Sequence, residues 1–208
     1  MQTLTPELHR RFVRQARRIS ADFATRLRRI GPIGYQSTRR DDLGTHLARI
    51  VVGQQLSTLA AKSIWARVEA AAADAPRTLD FFVESKVEVL RGCGLSMAKT
   101  RALLDLKRAA DEGLLGARRM TRATPEARRE TLLNLRGIGP WTVDMVSMFY
   151  FREPDVWPLG DLAVRKTFVS LLGDHPGYDV HTGAELFAPY RSFLALYMWR
   201  IANNGPEE

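Results

Sequence analysis

Residues 132–146 read LLNLRGIGPWTVDMV, and this stretch predicts two helices joined by a tight glycine turn. Pro140 stands where the first turn of the second helix tolerates a missing N–H. Gly137 and Gly139 let the backbone pass close to a ligand, and the free N–H groups at the start of the second helix can bind phosphate oxygens. An ordinary turn between helices is the alternative, but the pattern Leu-x-Gly-Ile-Gly-Pro-x-Thr is far more specific than a lone Gly-x-Gly.

Outside this hairpin, apolar residues recur at three- and four-residue spacing, which is the helical period. Such runs are Leu43-Leu47-Ile50-Val51, Leu59-Ile64-Val68, Leu103-Leu106-Ala110 and Leu186-Tyr190-Leu194-Met198. Residues suited to capping helix N-termini are Asp42, Ser57, Ser96 and Thr124. No convincing strand alternation accompanies them, so the predicted fold class is all-α.

The connections between these helical segments are short turns and not linkers, which predicts a single compact unit over residues 1–208. We expect two packed helical lobes within it. One lobe comprises approximately residues 1–50 and 160–208, and the other comprises approximately residues 51–159 with the hairpin at 132–146.

Composition limits the classes of function. The chain has 31 Lys plus Arg against 23 Asp plus Glu, a formal net charge of +8. This excess favours a polyanionic partner, although a solvated arginine-rich helix exterior has the same composition. The arginines of the first forty residues are open to both interpretations, and a transit peptide is a third.

Cysteine usage and hydropathy indicate a cytoplasmic protein. The single cysteine, Cys93, excludes an internal disulfide and a thiolate-rich zinc or iron–sulfur site. No apolar run approaches the roughly 20 residues of a membrane span, and the chain opens without an apolar signal segment. The four histidines show no pairing at metal-ligand spacing. We therefore expect a reducing compartment and no membrane association.

A second informative stretch, residues 157–166, reads WPLGDLAVRK. Pro158 and Gly160 favour an extended approach to Asp161, which falls at the start of a predicted helix and, taken alone, is a helix cap. A hairpin followed by a Pro/Gly loop that ends in aspartate resembles the helix–hairpin–helix superfamily of base-excision DNA glycosylases. The resemblance implies a two-lobed helical glycosylase fold in which Asp161 is the catalytic carboxylate.

Within that superfamily, the chain resembles the alkylpurine branch, the 3-methyladenine DNA glycosylase II type. Trp141 occupies the hairpin position where strand-cleaving members carry a lysine, and it lies 20 positions (161 − 141) before Asp161. The four-cysteine iron–sulfur loop of several other members is missing. Further matches are residues 51–57 (VVGQQLS), 94–101 (GLSMAKTR) and 191–199, so the resemblance covers roughly residues 42–203. The length leaves no room for an N-terminal β-domain, which implies the compact form and a monomer.

The resemblance also implies a DNA-contacting surface. The loop that enters the duplex is expected to be Gln54, Gln55 and Leu56, with Gln55 as the first choice for the intercalating side chain. Backbone contacts are expected from Gly137, Gly139, Thr142, Lys99 and Arg101. The hairpin carbonyls of Gly137 and Gly139 are expected to hold a structural monovalent cation, Na⁺ or K⁺. The plainer alternatives are that Leu56 is core, that Gln54 caps a helix, and that Lys99 and Arg101 are merely solvated.

The implied reaction is hydrolysis of the N-glycosidic bond of an alkylated purine in double-stranded DNA. A carboxylate stabilises the positive charge that develops on the sugar, and a base that is already cationic leaves without a general acid. Trp141 and Trp199 are expected to stack on that base, with Phe149, Tyr150, Trp157 and Tyr197 as further aromatic candidates. No cofactor is required. The alternatives are a non-enzymatic helix–hairpin–helix module that binds DNA, and a glycosylase for mismatched or oxidised bases.

Overall fold

The computed structural model describes residues 3–35 and 42–204. Over these ranges the chain is helical and contains no β-strand, although one isolated antiparallel bridge joins Thr3 and Gly34. The all-α prediction is therefore confirmed. None of the described helices is both long and apolar enough to cross a membrane.

In chain order the α-helices are α1 (Pro6–Ile19), α2 (Ala21–Ile30), α3 (Leu43–Gly53), α4 (Thr58–Ala71), α5 (Val87–Gly92), α6 (Met97–Asp111), α7 (Ala117–Arg122), α8 (Pro125–Leu133), α9 (Pro140–Phe149), α10 (Leu162–Leu172), α11 (Thr182–Glu185) and α12 (Arg191–Asn204). Two short 3-10 helices, Thr78–Phe81 and Glu84–Lys86, lie between α4 and α5.

The chain forms two compact units. The terminal unit comprises Met1–Thr38 and Ser147–Glu208, and the central unit comprises Arg39–Val146. The sequence placed the lobe boundaries near residues 50 and 160 instead. Helix α3 packs against α4 and α6, so it belongs to the central unit.

The terminal unit is built around aromatic side chains. Helix α1 buries Phe12, Ala16 and Ile19, while the arginines of its opposite face are exposed, as its amphipathic spacing predicts. Helix α12 packs against α10, α2 and α11. The largest fully buried side chains of this unit are Phe12, Phe23, Phe168, Phe187, Phe193 and Tyr197.

The central unit is held by aliphatic side chains and by capped helices. Its fully buried side chains include Leu47, Leu79, Leu90, Leu103, Leu106 and Leu132. The predicted caps are Asp42, Ser57, Ser96 and Thr124. The side chain of each accepts the backbone N–H of the residue three positions later, at 3.1 to 3.3 Å. Such caps satisfy donors that a helix start otherwise leaves unpaired.

Two helical expectations were wrong. The run from Leu186 to Met198 is not one helix, because α11 ends at Glu185 and α12 begins at Arg191. Pro189 stands between them, and a proline has no N–H to donate and disfavours helical backbone before it. Leu59, expected on the buried face of α4, is 79% exposed.

Candidate active site

Asp161 lies at the N-terminus of α10 in the terminal unit, where it is half-buried. Its Oδ1 accepts the backbone N–H of Val164 at 3.0 Å, which makes it the N-cap that its position in the sequence predicts. The same oxygen also accepts the indole Nε1–H of Trp199 at 3.0 Å. Two donors from separate helices therefore hold this carboxylate in one orientation.

The loop that leads to Asp161 is tied to the start of α12. Arg191 forms a two-pronged ion pair with Asp155, with Nε–Oδ1 at 2.8 Å and Nη2–Oδ2 at 2.9 Å. Burial raises the pKa of Asp155, but the hydrogen bonds and charge of Arg191 outweigh it, so the pKa lies below its ordinary value. The Ser192 hydroxyl donates to the Glu153 carbonyl at 2.7 Å and accepts the Val156 N–H at 2.9 Å. Because α12 also carries Trp199, these bonds help to fix Trp199 relative to Asp161.

Aromatic rings extend from Trp199 through the terminal unit. The Trp199 ring packs on Phe149 with centroids 5.6 Å apart, and Tyr35 meets Phe149 edge-on at 5.8 Å. The Arg152 guanidinium lies 4.6 Å from the centroid of Tyr35. Tyr35 and Arg152 were not among the sequence candidates. The positive φ of Arg152, 60°, is visible only in the structure, and 117 positions separate the two residues, so no local sequence signal indicates this contact.

The other aromatic candidates of this unit are placed differently. The Tyr197 ring is fully buried, and its hydroxyl donates to the Gly31 carbonyl and lies 2.7 Å from His9 Nδ1. Trp157 donates its indole N–H to the Val180 carbonyl at 3.3 Å and packs edge-on against Phe168. Both therefore contribute to the packing of the unit, and Phe149 is the candidate whose ring packs on Trp199. The fourth candidate, Tyr150, packs edge-on against Phe151.

In the central unit, the two hairpin glycines have different environments. Gly137 has φ of 77°, and a Cβ atom there would lie 2.8 Å from the Cβ of Ala102. A Cβ at Gly139 would meet no atom within 4 Å. The fold itself thus requires glycine at residue 137, whereas residue 139 faces open space in front of helix α9, where a phosphate could approach.

The three residues of the loop expected to enter the duplex, Gln54, Gln55 and Leu56, have different environments in the structure. Gln54 turns its amide toward the hairpin, and Nε2 donates to the Gly137 carbonyl and to the Thr142 hydroxyl, both at 2.9 Å. Gln55 has φ of 58° and is exposed at the tip of the loop, and Leu56 is 40% exposed. Only Gln55 and Leu56 are therefore presented to a ligand.

The remaining sequence candidates of the central unit also have defined positions. Lys99 donates to the carbonyls of Val52 and Gln54, both at 2.8 Å, and burial lowers the pKa of its ammonium group. Arg101 is exposed and lines a cavity of about 380 Å³ that Arg108 and Arg136 share. Trp141, the second residue of α9, is half-buried.

The hairpin carbonyls are only partly open to the implied cation. The Gly137 carbonyl accepts the Gln54 amide, and the Gly139 carbonyl accepts the Val143 N–H at 3.1 Å. A carbonyl has two lone pairs, so a monovalent cation would share each oxygen with a protein donor. No step of the chemistry proposed below depends on that ion.

No protein-family model matches the sequence. The chain is 32% identical over 167 residues to DNA-3-methyladenine glycosylase 1 of Schizosaccharomyces pombe, a match that covers 75% of this chain and 71% of the yeast protein. The chain belongs to the DNA-3-methyladenine glycosylase family. The fold agrees with this assignment. A crystal structure of DNA-3-methyladenine glycosidase from Bacillus halodurans superposes with a TM-score of 0.77 at 25% identity, and the superposition covers 100% of this chain and 95% of that one.

The chain is also 35% identical over 116 residues to a Bacillus subtilis protein named putative DNA-3-methyladenine glycosylase YfjP. That match covers 53% of this chain and 40% of the Bacillus protein, so the similarity spans less than half of that protein's length. The resemblance drawn from the hairpin and the Asp161 loop is confirmed at the level of the DNA-3-methyladenine glycosylase family.

Proposed function

We propose that this protein is a monofunctional DNA glycosylase that hydrolyses the N-glycosidic bond of alkylated purines and so begins base-excision repair. The observation that carries the proposal is the Asp161 carboxylate, fixed by Val164 and Trp199. We infer that this carboxylate has a chemical task as well as a capping one.

Asp161 is proposed to stabilise the positive charge of the sugar. As the bond between C1′ and the base nitrogen breaks, the deoxyribose acquires oxocarbenium character, and a carboxylate already oriented toward it stabilises that charge without reorganisation. Water then adds to C1′ and loses a proton. The hydrogen bond from Trp199 limits the rotation of the carboxylate and so preserves its orientation.

One carboxylate is sufficient when the departing base is cationic. A purine alkylated at N3 or N7 carries a positive charge and leaves as a neutral molecule, so no acid has to protonate it. Neither Asp144 nor Asp155, the two aspartates that most closely precede Asp161, is an obvious second catalytic group. The Asp144 carboxylate is paired with Arg129 at 2.8 Å, and the Asp155 carboxylate is paired with Arg191 at 2.8 Å. Burial raises the pKa of Asp144, and the contact with Arg129 opposes that rise.

Binding to duplex DNA is proposed to use the central unit. The hairpin offers the N–H groups around Gly139 and the start of α9 to a phosphate, which positions the protein without reading bases. Gln55 and Leu56 are proposed to fill the space that the extruded nucleotide leaves. Arg101 is proposed to contact the backbone, and Trp141 and Trp199 to stack on the base. We further propose that the protein acts as a monomer in the cytoplasm.

Release of alkylated bases tests the proposed function. Incubation of the protein with duplex DNA methylated by a simple alkylating agent is expected to release free 3-methyladenine and 7-methylguanine, because both leave as neutral bases. Chromatography of the ethanol-soluble fraction measures them. DNA binding with no base released would instead favour a non-enzymatic helix–hairpin–helix module. Release of a base only from a second duplex that carries an oxidised or mismatched base would favour the other alternative.

A further inference from the structure

We propose that Lys99 is a positioning residue that, together with Gln54, holds the loop bearing Gln55 and Leu56 in the shape needed to extrude a nucleotide. The inference rests on the proposed function, since it explains how the central unit separates the bases. It assigns Lys99 a role other than the phosphate contact expected from the sequence.

The backbone of this loop is not stabilised by contacts within the loop alone. Gln55 has φ of 58°, a left-handed conformation that is unfavourable for a residue with a side chain. Within the loop, backbone hydrogen bonds are long, with Gln54 N–H to Val51 at 3.3 Å and Leu56 N–H to Gly53 at 3.2 Å. A conformation of this kind persists only when its surroundings impose it.

Lys99 provides the first contact that holds the loop backbone. Its ammonium donates at 2.8 Å to the Val52 carbonyl, near the end of α3, and at 2.8 Å to the Gln54 carbonyl, immediately before Gln55. The last carbonyls of a helix have no intrahelical donor and lie at the negative end of its dipole, so a partly buried cation is well placed there. Ser96, by capping the N–H of Lys99, fixes the residue from which the side chain extends.

Gln54 provides the second contact that holds the loop. Its amide donates to both the Gly137 carbonyl and the Thr142 hydroxyl, and Thr142 is only 1% exposed. The loop is thus joined to the phosphate-binding hairpin on one side and to α6 on the other. When the hairpin binds the DNA backbone, the loop bearing Gln55 and Leu56 therefore keeps its position against the base stack.

The test compares Lys99→Met with Lys107→Met. Lys107 is a matched control, because it lies on the same helix and its ammonium contacts a carboxylate, Asp111, at 2.6 Å. Single-turnover release of 7-methylguanine is measured from a duplex that pairs the lesion with cytosine and from one in which it is unpaired. Lys99→Met is expected to lower release from the paired duplex about tenfold and from the unpaired duplex less than about twofold, because an unpaired base needs little help to leave the stack. Lys107→Met should change the two rates equally.

Two further readouts separate positioning from other roles. Backbone hydrogen exchange at residues 53–57 of the free protein should accelerate in Lys99→Met but not in Lys107→Met, and Lys99→Arg, which keeps the charge, should restore protection. If Lys99 contacted a phosphate, Lys99→Met would reduce the salt slope of binding to undamaged DNA by about 0.9. If Lys99 is a positioning residue, the variant leaves that slope unchanged.

Several results would overturn the inference. They are unchanged exchange at residues 53–57, equal loss of release from the paired and unpaired duplexes, or a reduced salt slope. If Lys99→Met does not fold, Gln54→Met is subjected to the same measurements with the same expectations. Wild-type protein that releases no base from either duplex would refute the proposed function, and the exchange measurement alone would then decide whether Lys99 holds the loop.

Discussion

Asp161→Asn is expected to lower the single-turnover rate of 7-methylguanine release by about 100- to 1,000-fold, the usual cost of removing a preorganised electrostatic group. The amide is nearly isosteric with the carboxylate but carries no charge to stabilise the sugar cation. Asparagine is also as good an N-cap as aspartate, so α10 and the melting temperature should be little changed. Thermal melting and binding to an abasic-site analogue provide the controls.

A graded result is expected from Trp199→Phe. This variant keeps an aromatic ring against Phe149 but removes the Nε1–H that donates to Asp161. A hydrogen bond to a charged group contributes about 1.5–3 kcal/mol, so release should fall by about 10- to 100-fold, a smaller loss than in Asp161→Asn. Near wild-type release by Asp161→Asn would show that another group stabilises the transition state.

Trp141→Ala should slow release of cationic 7-methylguanine and 3-methyladenine about five- to thirty-fold more than release of neutral hypoxanthine. The cation–π attraction between the ring and a charged base, on the order of 1–2 kcal/mol when partly desolvated, is lost only for the cationic lesions, whereas stacking area is lost for all three. The measurement is the single-turnover rate on three otherwise identical duplexes.

Trp141→Phe is the matched variant for that comparison, because it retains a smaller aromatic face. It should lie between wild type and Trp141→Ala for the cationic lesions. Equal losses on all three duplexes would mean that Trp141 is a packing residue or an unselective stacking surface. Selection between lesions would then come from leaving-group ability alone.

Local signals in the sequence predicted much of the fold. Helix caps such as Ser57 and Ser96 act on N–H groups three residues away, so their effect is contained in the sequence around them. The same holds for Gly137, whose positive φ the turn requires, and for Asp161, which caps α10 as expected. The break before α12 also has a local signal, Pro189, although the apolar spacing across it predicts a continuous helix.

The parts that were not predictable depend on contacts between distant segments. The position of Lys99 at a helix start predicts a phosphate contact or a solvated cation, and the carbonyls that it binds lie 47 and 45 positions earlier. The contact between Tyr35 and Phe149 likewise joins residues that lie 114 positions apart in the sequence. Spacing along one helix carries no information about such partners, because they are chosen by tertiary packing.

Strand integrity after base release tests the central claim, hydrolysis by a single fixed carboxylate without an amine nucleophile. An end-labelled duplex with one 7-methylguanine is treated with the protein and divided between neutral buffer, hot alkali and borohydride. We expect an intact strand in neutral buffer, cleavage at the lesion only after alkali, and no covalent protein–DNA adduct with borohydride, because Trp141 replaces the hairpin lysine. Cleavage in neutral buffer, or an adduct trapped by borohydride, would contradict the account.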